Sequence, residues 1–133
     1  MDQLAAGETP LRTAHDIVMA RQIVRRLSQE LRFSLVDQTK IVTAASELAR
    51  NTLTYGRGGD MHWHTLMNGA KRGLRLVFTD QGPGIADLDL ALTDGWSSGA
   101  GLGLGLTGAR RLVNEFEIDT SPAGTRVTIV RWS

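Results

Sequence analysis

The chain reads as an α+β protein, a two-layer α/β sandwich with helices on one face of a mixed, mostly antiparallel sheet. Three observations predict this. Two stretches before residue 56 carry apolar residues at three- and four-residue steps, the helical period. Stretches at 60–68, 74–79, 117–121 and 125–132 read as strands separated by turn-forming residues. The 133 residues, 41% apolar and 22% charged, are enough for one core and too few for two. A single domain over 1–133 is therefore expected. Locally paired strands with separate helices stack as a sheet covered on one side.

Each element has its own signal. Leu11 lies on a short first strand. Thr13 and Asp16 have capping-box spacing, and Ile17, Ala20, Val24, Leu27 and Leu31 continue at helical steps, so a helix is expected over 14–32. Ser34 and Asp37 repeat the start signal for a second helix over 35–55. Its apolar stripe includes Val42, Ala45, Ala49 and Thr52, and Tyr55-Gly56-Arg57-Gly58-Gly59 stops it. In 60–68, Met61, Trp63, Thr65 and Met67 alternate with His62, His64 and Leu66. Asn68-Gly69 then turns the chain into the strand at 74–79, an antiparallel hairpin. A third helix is expected over 106–116, burying Ala109, Leu112, Val113 and Phe116. The strands at 117–121 and 125–132 form a second hairpin around Pro122-Ala123-Gly124.

Composition excludes several functions. Fifteen cations against fourteen anions leave a net charge of +1, and the cations are dispersed. A nucleic-acid binder needs a concentrated basic surface, so that class is not expected. With no cysteine, disulfide scaffolds, thiolate metal sites and thiol nucleophiles are excluded. No apolar run approaches the roughly 18 residues of a membrane span. The opening MDQLAAGETP is polar, without a signal-peptide apolar region, so a cytoplasmic chain is expected.

Three constellations carry chemistry. Glu47 and Asn51 lie four apart on the second helix and share a face away from the Val42–Ala45–Ala49 stripe. Their oxygens suit Mg²⁺, which binds few protein oxygens together with phosphates. A carboxylate beside it can also accept a proton from an attacking hydroxyl. A solvated helix face explains this pair alone equally well. Next, Asp80-Gln81-Gly82-Pro83-Gly84-Ile85 directly follows a strand. It offers an exposed carboxylate for an exocyclic amine such as that of adenine, with glycines that let a flat ring approach the backbone. A plain turn is the bland alternative. Last, eight of the fifteen glycines fall between Gly82 and Gly108, and the run 99–108 precedes a helix. Free amides there suit phosphate.

Known phosphate motifs do not fit. Gly103, Gly105 and Gly108 spell G-x-G-x-x-G, but no strand precedes them, which rejects a Rossmann site. The only lysines are Lys40 and Lys71, so there is no Walker P-loop. The H-R-D, D-F-G and V-A-I-K signatures of eukaryotic-type kinases are also missing.

The order of the three constellations, closed by Gly124-Thr125, resembles the GHKL (Bergerat) ATP-binding fold of gyrase B, Hsp90, MutL and histidine kinases. The likeness runs from about Leu11 to Trp132. Within that superfamily, Ser46-Glu47-Leu48-Ala49-Arg50-Asn51, the segment 80–85, Gly101-Leu102-Gly103, Arg111-Leu112, Glu115-Phe116 and the closing Arg131-Trp132 resemble the small bacterial anti-sigma-type serine kinases of the RsbT switch type. The resemblance implies ATP and Mg²⁺ as cofactors. It implies a protein serine/threonine kinase of a stressosome module that phosphorylates a STAS-domain protein and, once released, activates a PP2C-type phosphatase. An anti-sigma factor that sequesters a sigma factor, or a nucleotide-binding partner switch without turnover, remains the alternative.

Residue by residue, the resemblance implies that Asn51 holds Mg²⁺ on the ATP phosphates and that Glu47 is the catalytic base. Asp80 would bind the adenine amine, with Gly82 and Gly84 admitting the ring and Thr125 supporting the pocket. Gly101, Gly103 and Gly105 would line a lid over the phosphates. Some relatives carry a basic residue in this lid, whereas 96–107 holds neither Arg nor Lys. Backbone amides and Mg²⁺ then carry the phosphate charge, or Arg110 or Arg50 reaches in. Asp87 and Asp89 look like the start of a short helix, and Trp96 like a partner contact or a cover on the pocket. His62 and His64 lack a third metal ligand, so a solvated strand face is the reading preferred for them.

Overall fold

The structure, a computed structural model, describes residues 2–85 and 102–133, with side chains over 4–85 and 106–133. The capping box forms as its spacing predicts. Thr13 Oγ1 accepts from Asp16 N at 3.2 Å, and Asp16 Oδ2 accepts from Thr13 N at 3.0 Å. Helix α1 runs over Ala14–Glu30. Ser34 caps helix α2, Leu35–Thr54, by accepting from Asp37 N at 3.1 Å. Helix α2 ends where Asn51 O accepts from both Tyr55 N and Gly56 N.

Five strands follow the order β1-β2-β3-β5-β4. They are β1, Asp2–Leu11; β2, Gly59–Asn68; β3, Lys71–Asp80; β4, Glu115–Ser121; and β5, Gly124–Trp132. Every pairing among them is antiparallel, so the mixed sheet expected from sequence is corrected to a purely antiparallel one. The first strand is also longer than expected. Its residues carry little alternation, and only pairing with β2 makes them extended.

The third helix is a larger correction. Helix α3 spans Leu102–Arg111, not 106–116. Glycine weakens a helix by about 1 kcal/mol each, which pushed the expected start past Gly103 and Gly105. Packing overrides that cost, because Leu106 and Ala109 are buried where α3 lies against α2. Phe116 belongs instead to β4, whose inward Phe116, Ile118 and Thr120 alternate with exposed Glu115, Glu117 and Asp119.

Helix α2 packs against α1, α3 and the sheet at once. Its buried set is accordingly wider than the predicted stripe and adds Ile41, Ala44, Ser46 and Leu48. Beneath it, Met61, Leu74, Leu76, Phe78 and Ile129 form the sheet side of the core. The opposite face of the sheet has no helix over it among the described residues. There Trp132 lies against Gly73, and its Nε1 donates to Glu115 Oε2 at 2.8 Å. Leu66 is sealed on that same face. His62 pairs with Glu8 at 3.2 Å. Burial, then Arg75 and His62, hold the His64 imidazole below its ordinary pKa. Among the described residues no helix is long and apolar enough to cross a membrane.

One ion pair ties the last strand to the helix layer. Arg131 Nη2 donates to Asp37 Oδ1 at 2.5 Å, and the two side chains are only 15% and 21% exposed. The Arg131 hydrogen bond, opposed by burial and aided by Ser34, holds the Asp37 carboxyl below the ordinary 3.8. Asp37→Asn is expected to lower the free energy of unfolding at pH 7 by about 2 kcal/mol, since it leaves a largely buried guanidinium without its counter-charge. A depressed carboxyl pKa contributes stability that is complete above 3.8 and is lost as pH falls through the folded value beneath it. Urea unfolding at neutral and at acid pH checks both statements. A parent–variant difference that persisted undiminished at the acid end would contradict the assignment.

Candidate functional site

The site lies where the C-terminal half of α2 meets the ends of β3 and β5. Leu48, Phe78, Leu106 and Val127 give a cavity apolar walls. Asn51, Asp80 and Thr125 supply polar atoms to it, and Gly84 and Ile85 close one side. Apolar walls with a carboxylate beside them suit, in chemistry, a purine with an exocyclic amine.

Asp80 is held in place through one oxygen. Its Oδ1 accepts from Gly82 N at 2.9 Å and from Thr125 N at 3.3 Å. Its Oδ2 accepts no hydrogen bond from a described residue and is left for a ligand donor. The helix end contributes directly. The turn that closes α2 puts Gly56 so near this carboxylate that a Cβ there would sit 2.4 Å from Asp80 Cγ. Gly82 in turn rests on the Gly56 backbone.

The loop after Asp80 is clamped by the second hairpin. Gly84 has φ +80°, and a Cβ on it would lie 2.1 Å from Ser121 O, so only glycine fits. Thr120 Oγ1 accepts from Ile85 N at 2.9 Å and shares a hydrogen bond with Thr125 Oγ1 at 2.8 Å. Thr120 thereby links the loop to the strand that holds Asp80. Thr120→Val, which keeps the shape and loses both bonds, is expected to weaken nucleotide affinity about tenfold. Thr120→Ser should restore it. Calorimetric titration of both variants checks this, and unchanged affinity in the valine variant would remove Thr120 from the site.

Asn51 is partly buried and faces the cavity, and its Nδ2 is buried without a hydrogen-bond partner. A buried amide left unsatisfied costs stability unless a ligand meets it. Which amide atom faces the cavity is an assignment that a 180° flip exchanges, so the oxygen is equally available to a cation. The carboxamide thus fits a hard cation carrying phosphate oxygens.

Glu47 sits one turn before Asn51 on the same face of α2 but does not line the cavity. Its side chain is 37% exposed, and Oε1 pairs with Arg50 Nη1 at 3.0 Å. The structure therefore brings Asn51, Asp80, Gly82, Gly84 and Thr125 together and leaves Glu47 at the outer rim. Gly103 and Gly105 lie within α3 rather than on a loop before it, which corrects the expectation for them. Gly101, Asp87, Asp89 and Trp96 lie outside the described residues. Arg110 is exposed in the last turn of α3.

Sequence reasoning did not pick out Gly56, Tyr55 or Thr120. Gly56 carried a usable signal, since it stops the helix five residues after Asn51. Thr120 carried none, because its role depends on the β4–β5 register that sets it opposite Thr125.

A helix-backed antiparallel sheet, with an apolar cavity between a helix end and an Asp-x-Gly-x-Gly turn, defines an ATP-binding domain of the histidine-kinase type. Over residues 10–131 the sequence matches the family described as histidine kinase-like ATPase domain, and the chain belongs to that family. Serine/threonine-protein kinase RsbT of Bacillus subtilis (strain 168) is 42% identical over 121 residues, 90% of this chain and 91% of the relative. Kinship over nine-tenths of both chains makes this a kinase-type, ATP-using member of the family.

Solved structures agree on the fold. The RsbU and RsbW domains of Rv1364c from Mycobacterium tuberculosis superimpose with a TM-score of 0.66 at 20% identity. That match covers 96% of this chain and 32% of the other, so the chain spans about a third of that structure's length. The SiaB–SiaC complex from Pseudomonas aeruginosa gives 0.63 at 14% identity, covering 96% and 89%. The mycobacterial sensor histidine kinase MprB gives 0.53 at 18%, covering 96% and 97%.

Proposed function

We propose that the whole chain, 1–133, is one ATP-dependent protein serine/threonine kinase domain working as a partner switch. In this reading it acts in the cytoplasm, in a stressosome-type module. It phosphorylates a serine or threonine of a STAS-domain protein and, when released from that protein, activates a PP2C-type phosphatase. The observation that carries the reading is the joint placement on α2 of a cavity-facing Asn51 and, one turn earlier, a rim-exposed Glu47, beside the Asp80 slot. The kinship with a serine/threonine-protein kinase supports it.

Roles follow from chemistry. Asp80 Oδ2 accepts from the adenine amine while Oδ1 stays tied to Gly82 and Thr125. Leu48, Phe78 and Val127 enclose the ring. Asn51 would hold Mg²⁺ through its carboxamide oxygen, and the ion when bound neutralises charge on the phosphates. Glu47 orients the substrate hydroxyl and takes its proton as that oxygen bonds to the γ-phosphorus. The bond from the γ-phosphorus to the β,γ-bridging oxygen breaks, and ADP leaves. Phosphoryl transfer is mostly positioning and charge stabilisation, so this sparse set is sufficient.

The test is γ-labelled ATP with Mg²⁺ and a STAS-domain protein. Label on the STAS protein supports the kinase. ATP bound without transfer turns the reading to a switch without turnover, or to an anti-sigma factor, and pull-downs against sigma factors and PP2C phosphatases decide between those. Asp80→Asn keeps an oxygen for the two amides but replaces the free acceptor with a donor. ATP affinity is expected to fall about 10–100-fold with the fold intact. Equal affinity of the parent for ATP and GTP would count against an adenine-reading Asp80.

A further inference from the structure

Glu47 does not stand alone at the rim. Arg50, three residues further along α2, donates Nη1 to its Oε1 at 3.0 Å. Both side chains are open to solvent, and an ion pair so exposed contributes little to the fold. Nor does the pair use up the guanidinium. Arginine carries five N–H donors in a planar fork. Among the described residues Arg50 engages only Nη1, which leaves Nε and Nη2 for another acceptor.

The helix gathers three groups at one place. At about 100° per residue, Arg50, Glu47 and Asn51 fall within one sector of about 100° on the surface of α2. Guanidinium, carboxylate and carboxamide therefore come together on the last turns of the helix, at the edge of the cavity that Asn51 lines. Phosphoryl transfer needs positive charge at such a place. The γ-phosphoryl oxygens carry the charge of the transition state, and a metal ion between the phosphates neutralises only part of it. A guanidinium is the side chain best matched to the remainder.

Other cations near the site are worse placed. Residues 85–109 hold neither Arg nor Lys. Lys40 is eleven residues before Asn51 on α2, roughly 16 Å along the axis, and Lys71 is at the opposite end of β3 from Asp80. Arg12 and Arg57 line a separate cavity that shares Gly56 and Asp80 with the first but not Asn51, so they lie at the adenine end. Arg110 is exposed, a full turn beyond Leu106, the α3 residue that lines the cavity. Arg50 adjoins Asn51 in the chain and is in contact with Glu47.

We propose that Arg50 is a catalytic residue, whose guanidinium is bonded to Glu47 in the free chain and, with ATP bound, turns its free N–H groups to the γ-phosphoryl oxygens. The pairing with Glu47 couples the two events. As the acceptor oxygen bonds to the γ-phosphorus, its proton passes to Glu47 and the carboxylate becomes neutral. The charge of Arg50, no longer balanced by Glu47, is then available to the phosphoryl oxygens while the bond to the β,γ-bridging oxygen breaks and ADP forms. The transfer step rests on the kinase reading. The contact with the γ-phosphate also acts in binding, so it is tested separately.

The experiment sets Arg50→Gln beside the parent, both as the full chain. Glutamine keeps most of the polar reach and removes the charge at a solvent-exposed position, so the fold has no reason to suffer. Calorimetric titration with Mg-ATP and with Mg-ADP reads the contact. Affinity for ATP is expected to fall about tenfold, and affinity for ADP, which lacks the γ-phosphate, to stay within about twofold of the parent's. Single-turnover transfer to the STAS-domain protein at saturating ATP is expected to fall about 100-fold or more. Equal losses for the two nucleotides, or none, overturn the contact. Slower transfer with unchanged ATP affinity also overturns it, and makes Arg50 a positioning residue for Glu47. Transfer at the parent's rate overturns the catalytic role. If the parent transfers no phosphate, the kinase reading falls, and the two titrations still decide the contact: a loss selective for ATP sustains it, and any other result overturns it.

Discussion

Glu47→Gln is expected to lower phosphoryl transfer about 10²–10⁴-fold while ATP affinity stays within about twofold of the parent. The asymmetry follows from where Glu47 sits. Its side chain is at the rim, 37% exposed, and outside the cavity that would take the adenine. In the proposed assignment nucleotide binding does not depend on it, whereas proton removal from the attacking hydroxyl would. Glutamine keeps the length and a hydrogen-bond acceptor but cannot take a proton at neutral pH. The Arg50 partner, itself 56% exposed, loses only a surface ion pair, so stability changes by less than about 1 kcal/mol. Single-turnover transfer of labelled phosphate, set beside calorimetric ATP binding, separates the two quantities. Transfer retained near the parent's rate would remove Glu47 as the base.

Asn51→Ala acts on the other half of the face. The expected result is loss of the Mg²⁺ dependence of ATP binding and a fall in transfer on the order of 100-fold or more, since a phosphate-bound metal contributes several kcal/mol of charge stabilisation. The variant should fold, and removal of a buried amide nitrogen that lacks a partner even relieves a desolvation cost. The decisive readout is a pair of titrations, ATP with Mg²⁺ and ATP with a chelator. In the parent the two curves should differ, and in the variant they should coincide. A variant that still bound Mg-ATP with the parent's affinity would sink the assignment of Asn51 to the metal.

Much of this was legible in the residues themselves. The starts of α1 and α2 were readable because a cap is a contact between residues three apart, Thr13 with Asp16 and Ser34 with Asp37. The β2–β3 hairpin was readable because its turn and alternation are equally local. Asn51, Asp80, Gly82, Gly84 and Thr125 were legible as a candidate set from their order along the chain, and the structure brings all five to one place. Helix α3 was misplaced by four residues at its start, because glycine propensity is local and the burial of Leu106 and Ala109 against α2 is not.

By itself, then, the sequence determined the helices' caps, the hairpins, the single layer of helices and the identity of the groups that carry charge and acceptors. Tertiary structure alone decided which of those groups meet. Thr125 reaches Asp80 across 45 residues and Arg131 reaches Asp37 across 94, and in both cases strand register and helix docking set the encounter. It also decided that Glu47 and its partner Arg50 stand at the rim while Asn51 turns inward. The physical reason is range. Caps, turns and periodicity are energies between neighbours in the chain, whereas a site is an arrangement of neighbours in space, fixed only when the whole core has packed.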